Sequence, residues 1–298
     1  MLIVTKSTGD KIIDLFLYFI MFVIMLITLY PFWTQVVISL DGGGTAGSAY
    51  STGIVLFPSK FTLSSYKLAF QYDALWSGYL HTIYRTVLGV LLSVTFTAIT
   101  AYPLAKRQLP GNRIFTGIIL FTMLFGGGLI PSYLLIQELG LYNTIWALVI
   151  PGMIGAFNVM IVRNFFRNIP DELEESAVVD GAGYGAIFIR IVLPLSKPVL
   201  ATIALWVGVG HWNAWFDSMI YIADPSRQVL QVVLRKIILE NNTSDLSIIM
   251  QTMNQQSEFT GRQLQSTIIM FSIIPMLIVY PFVQKYFVKG VMVGAVKG

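Results

Sequence analysis

The side chains best suited to bind a ligand are grouped at positions 206 to 217. They are Trp206, His211, Trp212, Asn213, Trp215 and Asp217. Indole faces stack on sugar rings, whereas Asn and His side chains bind hydroxyl and carboxylate groups. A second group comprises Tyr79, His81, Tyr84 and Arg85, in which the arginine suits an acidic ligand. Both groups are predicted substrate contacts, with the aromatic and basic belts of membrane proteins as the open alternative.

Several other kinds of site are not indicated. The absence of cysteine excludes disulfides and thiolate metal sites, and two distant histidines do not suggest a metal centre. The glycine runs at 42–44 and 126–128 lack the Gly-Lys-Ser/Thr ending of a phosphate loop, so we expect no ATP site and no cofactor in this chain. The basic residues form no block, so nucleic acid is not a predicted partner.

The composition places these side chains in a membrane protein. Hydrophobic residues make up 55% of the 298 positions and charged residues 11%, and the mean hydropathy is +0.72. A soluble domain carries about 25% charged residues. A soluble chain of this size could not hide so much apolar surface in one core, so we expect membrane lipid around it.

The apolar segments predict an all-α polytopic membrane protein with six transmembrane helices, all in one domain, 1–298. A span needs about 20 mostly apolar residues. The six predicted spans are Ile12–Leu40, Thr82–Leu104, Ile114–Ile136, Thr144–Val162, Val199–Phe216 and Thr267–Phe287. The first has no small-residue cleavage site and is longer than a signal-peptide core, so we expect it to be retained.

The distribution of basic residues predicts the orientation. Most of the 19 Lys and Arg residues fall on one side of the spans if both termini are cytoplasmic. Long outer loops are then predicted at 41–80, with a surface helix at Phe61–Phe70, and at 217–266. Within the second, Val229–Leu239 has one apolar helical face, which predicts a helix along the outer membrane surface or under a partner.

The segment 170–198 is a polar island between spans four and five, on the predicted cytoplasmic side. Pro170 and the acids after it suit a helix N-terminus. Asp180-Gly181 predicts a turn, with Gly181 allowing two helices to cross closely. A second helix through Phe188, ending before Pro194, completes a predicted helix–turn–helix.

This segment resembles the "EAA" loop of binding-protein-dependent ABC importer permeases. The matching pattern is Glu-x-Ala-x-x-Asp-Gly-Ala, followed at set offsets by Phe, Ile and Leu-Pro, with Ser176 where alanine is usual. In that family the loop docks on a cytoplasmic ATPase. The resemblance implies docking through Glu174, Glu175, Ser176, Ala177, Asp180, Gly181, Ala182, Phe188, Leu193 and Pro194. The alternative is that this segment is a solvated acidic loop with no docking role.

The resemblance also implies a fold and partners. It implies the type I ABC importer permease fold in the bacterial inner membrane, with 170–198 as the coupling-helix loop. It implies a second homologous permease, giving a heterodimer, two ATPase subunits that bind ATP and Mg, and an external solute-binding protein. No covalent catalysis is expected of this chain.

The substrate is a less specific prediction. Residues 139–144 and 212–215 resemble carbohydrate permeases, most closely those of complex-saccharide importers such as alginate and pectin-fragment systems. The resemblance therefore implies import of a saccharide. A permease for a non-sugar solute and a secondary carrier remain alternatives, although the spans lack the acid–base pair typical of a carrier.

Overall fold

The computed structural model describes residues 8–42, 56–239 and 261–295, and most of these residues are helical. One isolated bridge, Asp41 to Phe61, is the extended pairing found within these ranges. The helices are α1 Thr8–Ser39, α2 Ser64–Phe70, α3 Asp73–Ala105, α4 Asn112–Leu124, α5 Leu129–Glu138, α6 Trp146–Val149, α7 Ala156–Phe166, α8 Glu172–Val179, α9 Tyr184–Leu195, α10 Lys197–Asn213, α11 Phe216–Tyr221, α12 Leu230–Leu239 and α13 Gly261–Ala295.

The first of two compact units comprises Met1–Tyr72 and Lys236–Ile274. In its described part, hydroxyl groups join the end of α1 to α2 and to the start of α13. The Ser65 hydroxyl donates to the carbonyl of Ser39 over 3.0 Å and lies 2.9 Å from the Thr267 hydroxyl. Phe70 and Phe271 pack edge to face with ring centroids 4.8 Å apart. The buried hydroxyls of Ser65 and Thr267 are therefore satisfied within this unit.

The second unit comprises Asp73–Arg235 and Pro275–Gly298. Its core lies where α3 packs against α7, α9 and α10, and small side chains on α3 such as Ala98 and Ala101 are buried there. Small residues allow two helix backbones to approach closely inside a membrane. Gly89 of α3, for example, lies directly beneath the His211 ring of α10. This packing positions the segment 170–198 at one end of α3. It positions Arg85, His211 and Asp217 nearer the other end.

Within the described residues, α1 and α3 are long and apolar enough to span a membrane, and two bent helix pairs pass the same test only when each pair is counted as one broken span. The six-span count remains a prediction. The predicted third span, Ile114–Ile136, is not one unbroken helix, because α4 and α5 meet at a bend of 113°. Consecutive glycines disfavour a helix there, and Gly128 has a φ of +88°. The predicted fourth span is likewise interrupted around Pro151, between α6 and α7.

Two loop predictions have different outcomes. The helix at 229–239 forms, but its apolar face is covered by the chain itself and not by a membrane surface or a partner: Val229 and Val232 are buried in a cluster with Leu148 and Tyr221. That prediction is wrong, because helical periodicity identifies an apolar face but not what covers it. The parts of the predicted outer loops at 43–55 and 240–260 lie outside the described residues.

A glycine on α3 allows α12 to approach its backbone. A Cβ added at Gly78 would lie 3.0 Å from Cα of Leu230. The Leu230 amide donates to the Thr82 hydroxyl over 2.8 Å. The atoms nearest to this added Cβ are the Cα and the amide nitrogen of Leu230. A methyl group at position 78 therefore displaces backbone rather than a flexible side chain.

We expect Gly78→Ala to lower the midpoint of thermal unfolding. Overpacking costs about 1–3 kcal/mol, which exceeds the gain of up to about 1 kcal/mol from replacing a helical glycine by alanine. The measurement is tryptophan fluorescence of the detergent-purified protein during heating. Gly117→Ala in α4 is the matched control, since nothing lies within 4 Å of its added Cβ. An equal or higher midpoint for Gly78→Ala than for Gly117→Ala would contradict this explanation.

Candidate functional site

The first candidate site is the helix–turn–helix formed by α8 and α9. Helix α8 carries Glu172, Glu174 and Glu175 in its first turn, where carboxylates stabilise a helix. It ends in a Schellman motif, in which the Ala182 amide donates to the Ala177 carbonyl over 2.9 Å. Gly181 supplies the left-handed residue, with a φ of +83°. The predicted turn is present.

The prediction that Gly181 allows two helices to cross closely is wrong. No atom lies within 4 Å of a Cβ added at Gly181, so close helix crossing does not require it. Its positive φ does, because an L side chain is strained there.

Helix α9 continues past the position where its end was predicted. It contains a π-helical turn, Phe188–Val192, and extends through Pro194 to Leu195. Pro194 cannot donate a backbone hydrogen bond, and it lies in the first turn of the segment Leu193–Leu195, where such a bond is dispensable. The predicted stop before Pro194 is therefore wrong, because the π turn changes the hydrogen-bond spacing ahead of the proline.

The structure divides the ten predicted docking residues between two faces. The outward ones are Glu175, Ser176, Asp180, Gly181 and Pro194, all exposed. The inward ones are Glu174, Ala177, Ala182, Phe188 and Leu193, which are partly buried. The apolar side chains of Val179 and Tyr184 are also exposed, at 86% and 70%, on the same loop. Neither was predicted from the sequence, although exposed apolar residues on a polar segment are typical of an interaction site.

The inward face is held at the end of α3. Glu174 forms an ion pair with Lys106 and accepts a hydrogen bond from the Tyr102 hydroxyl over 3.4 Å. The Tyr102 ring also packs against Phe188, with centroids 5.0 Å apart. Nothing in the sequence indicates these contacts, because Lys106 and Glu174 are 68 positions apart.

The second candidate site is a buried polar cluster formed by Arg85 of α3, His211 of α10 and Asp217 of α11. Arg85 is 2% exposed. Its guanidinium donates to Asp217 Oδ1 over 3.0 Å, to His211 Nδ1 over 3.2 Å and to the Ala214 carbonyl over 3.2 Å. The structure thus brings together three residues from the two predicted substrate groups. The Arg85 charge is already matched by Asp217, so this cluster joins α3 to α10 and α11.

The remaining aromatic and polar candidates have other neighbours. Tyr79 and Trp212 are buried and pack against each other, with centroids 6.3 Å apart. His81 donates from Nδ1 to the Ser77 carbonyl over 2.8 Å. Trp215 carries the guanidinium of Arg235 over its ring, 4.0 Å from the centroid. These side chains contribute to packing near one end of α3.

An exposed aromatic pair stands apart from this packing. Trp206 of α10 is 39% exposed and stacks on Phe157 of α7, with centroids 6.1 Å apart and planes 24° apart. Tyr84 is 58% exposed, and Asn213 is exposed but donates to the Val209 carbonyl over 2.9 Å. Phe157 was not predicted from the sequence, because its proximity to Trp206 depends on how α7 and α10 pack.

The family follows from a match over nearly the whole chain. Residues 3–293 match the binding-protein-dependent transport system inner membrane component family. The chain is a member of that family. The predicted resemblance is confirmed, and the protein is a permease subunit of an ABC importer, a transport subunit in which ATP hydrolysis belongs to partner ATPases.

Similar proteins match more than 90% of this chain. The polygalacturonan/rhamnogalacturonan transport system permease protein YtcP of Bacillus subtilis is 37% identical, and the match covers 97% of this chain and 99% of YtcP. Protein LplC of Bacillus subtilis is 40% identical over 91% of this chain and 90% of its own length. A chain in the crystal structure of a bacterial ABC transporter involved in import of the acidic polysaccharide alginate is similar, with a TM-score of 0.86, 34% identity, and coverage of 95% of this chain and 99% of that chain.

Metal-ligating side chains do not form a cluster in the described part of the permease. Among residues 8–42, 56–239 and 261–295, no group of three or more His, Asp or Glu side chains comes together to hold a metal ion. The all-helical architecture is consistent with the type I permease fold of the alginate transporter chain.

Proposed function

We propose that this permease imports an acidic oligosaccharide or polysaccharide fragment, received from an external solute-binding protein. The observation that carries the proposal is the full-length similarity to permeases whose names specify polygalacturonan/rhamnogalacturonan and alginate. These polymers share sugar rings that bear carboxylates. The proposed complex contains a second, homologous permease and two ATPase subunits, with six spans in this subunit and both of its termini in the cytoplasm.

The proposed coupling uses the loop 170–198. ATP binding by the partners closes their dimer and moves the docking loops, and the spans rearrange so that the cavity opens outward. The outward-facing residues Glu175, Ser176 and Asp180 are the proposed ATPase contacts, and exposed Val179 and Tyr184 supply apolar area beside them. Apolar anchors surrounded by polar residues are typical of protein interfaces.

The proposed substrate path includes the exposed pair of Trp206 and Phe157. Two stacked rings that remain exposed offer a face on which a sugar ring packs. Arg85 is not proposed as the cation for the carboxylates, because Asp217 already binds its guanidinium. Arg235 is an exposed cation beside an aromatic ring, but it too is engaged, over Trp215.

The test of substrate class is ATPase stimulation in the reconstituted complex. Binding proteins loaded with oligogalacturonate, with a neutral oligosaccharide of the same length, or with an amino acid are compared. We expect the largest stimulation with oligogalacturonate. Stimulation by the amino-acid-loaded protein alone would support the alternative of a non-sugar permease and contradict the proposal.

Removing the exposed indole tests the substrate path. We expect Trp206→Ala to raise the substrate concentration for half-maximal uptake about fivefold, corresponding to the loss of about 1 kcal/mol of stacking. Trp206→Phe should retain most of the affinity. The control is Trp146→Ala in α6, where the tryptophan is 43% exposed. Unchanged uptake by Trp206→Ala would remove this residue from the proposed path.

A further inference from the structure

Glu174 lies on the docking loop, but its geometry differs from that of its neighbour Glu175. The Glu174 side chain is 14% exposed, and its carboxylate is paired with the Lys106 ammonium group. Glu175 is exposed. A carboxylate already paired and hydrogen-bonded within the chain is a poor contact for an incoming protein, because docking would first have to break those bonds.

The ion pair spans a groove. The groove has a volume of about 1100 Å³, and its walls are the end of α3, the segment 106–110 and the docking loop. The loop is therefore not packed continuously against the bundle at this point. Glu174 and Lys106 bridge the two walls, and the partial burial of both side chains strengthens the pair relative to one on an open surface.

Tyr102 contacts both helices of the docking loop. Its hydroxyl donates to Glu174 near the start of α8, and its ring packs on Phe188 of α9. The Lys106 ammonium group also lies over this ring, 5.0 Å from its centroid. Tyr102 is in the last turn of α3, so both halves of the loop meet the end of one long helix.

We infer that Glu174 is a positioning residue, which holds α8 on the end of α3 through Lys106 and Tyr102 so that movement of the docking loop is passed to α3. The same helix carries Arg85, about 26 Å along its axis from Tyr102, and Arg85 binds α10 and α11. A displacement applied at Glu174 thus reaches the opposite region of the unit through one helix. This inference rests on the proposed function of the loop.

The first test separates positioning from docking. In the reconstituted complex, we expect Glu174→Ala to retain copurification of the ATPase subunits, while stimulation by the loaded binding protein falls about fivefold or more, the lower range of coupling between linked sites. The charge exchange Lys106→Glu with Glu174→Lys should restore at least half of the stimulation. Glu172→Ala, at an exposed acid of the same helix, is the matched control and should change neither measurement.

Two results of this test would overturn the inference. One is unchanged stimulation in Glu174→Ala. The other is loss of ATPase copurification that the charge exchange does not restore, which would place Glu174 in the ATPase interface itself.

A second test needs neither ATPase nor substrate. The chain has no cysteine, so spin labels at Gln108→Cys and Val179→Cys, both exposed, report the distance across the groove without further substitutions. We expect a narrow distance distribution in the otherwise unaltered protein and in Glu172→Ala, a broad one in Glu174→Ala, and a narrow one again in the charge exchange. A narrow distribution in Glu174→Ala would refute the positioning role of Glu174. Absence of stimulation in the unaltered complex would instead refute the proposed function.

Discussion

Replacing Asp217 with leucine is expected to prevent recovery of folded permease from the membrane. The substitution leaves the Arg85 guanidinium, whose side chain is 3% exposed, without its carboxylate. Its other partners, the His211 ring nitrogen and the Ala214 carbonyl, carry no negative charge. Breaking a buried pair on one side costs about 3–5 kcal/mol, a large part of the stability of an ordinary domain. The measurement is the yield of monodisperse protein after detergent extraction.

A double substitution distinguishes this explanation from a loss of packing. Arg85→Met combined with Asp217→Leu removes both charges, so we expect it to recover much of the yield. Recovery should be incomplete, because Asp217 Oδ1 also accepts the Ser218 amide at the start of α11 over 2.8 Å. Arg227→Met, which breaks the exposed pair with Asp224, should leave the yield unchanged. A double variant that is no better than Asp217→Leu would rule out an uncompensated charge as the cause.

Reversing the charge of Glu175 is expected to abolish uptake while leaving the permease folded. The side chain is exposed, so Glu175→Lys should not disturb packing within the chain. A lysine at the proposed ATPase contact replaces an attraction by a repulsion, which costs several kcal/mol where charges face each other across an interface. Pull-down of the ATPase subunits and saccharide uptake are the two measurements.

The control for this change lies on the same helix. Glu172→Lys makes the same change of charge in the first turn of α8, at a position not proposed as a contact, and should retain both pull-down and uptake. Normal ATPase copurification and uptake by Glu175→Lys would contradict the proposed role of the docking loop.

The features that sequence predicts well are those set by local chemistry. Apolar runs predict the long helices α1 and α3, because a bilayer requires continuous apolar length. The pattern around Glu175 and Gly181 predicts a helix, a turn and a second helix, because caps and left-handed residues are encoded within a few positions. The family resemblance rests on the same segment.

The features that sequence misses depend on which helices become neighbours. Val229 to Ile237 has an apolar face, but only packing shows that most of this face is buried. The pairing of Arg85 with Asp217 joins positions 132 apart, and that of Lys106 with Glu174 joins positions 68 apart. Residue type predicts that Glu174 and Glu175 are alike, whereas their positions around α8 make one carboxylate partly buried and the other exposed.

The buried pair at Arg85 has a consequence for how the chain is made. Helix α1 has an apolar 18-residue window with no residue buried by the described chain, so its insertion does not wait for other segments. Helix α3, in contrast, brings a guanidinium whose counterion is encoded 132 residues later. At about 5–20 residues per second, the ribosome reaches that codon roughly 7–26 seconds afterwards. During this interval the nascent helix must keep Arg85 in water, at the lipid headgroups or beside the insertion machinery. The final packing of α3 against α10 and α11 is therefore a late event in biogenesis.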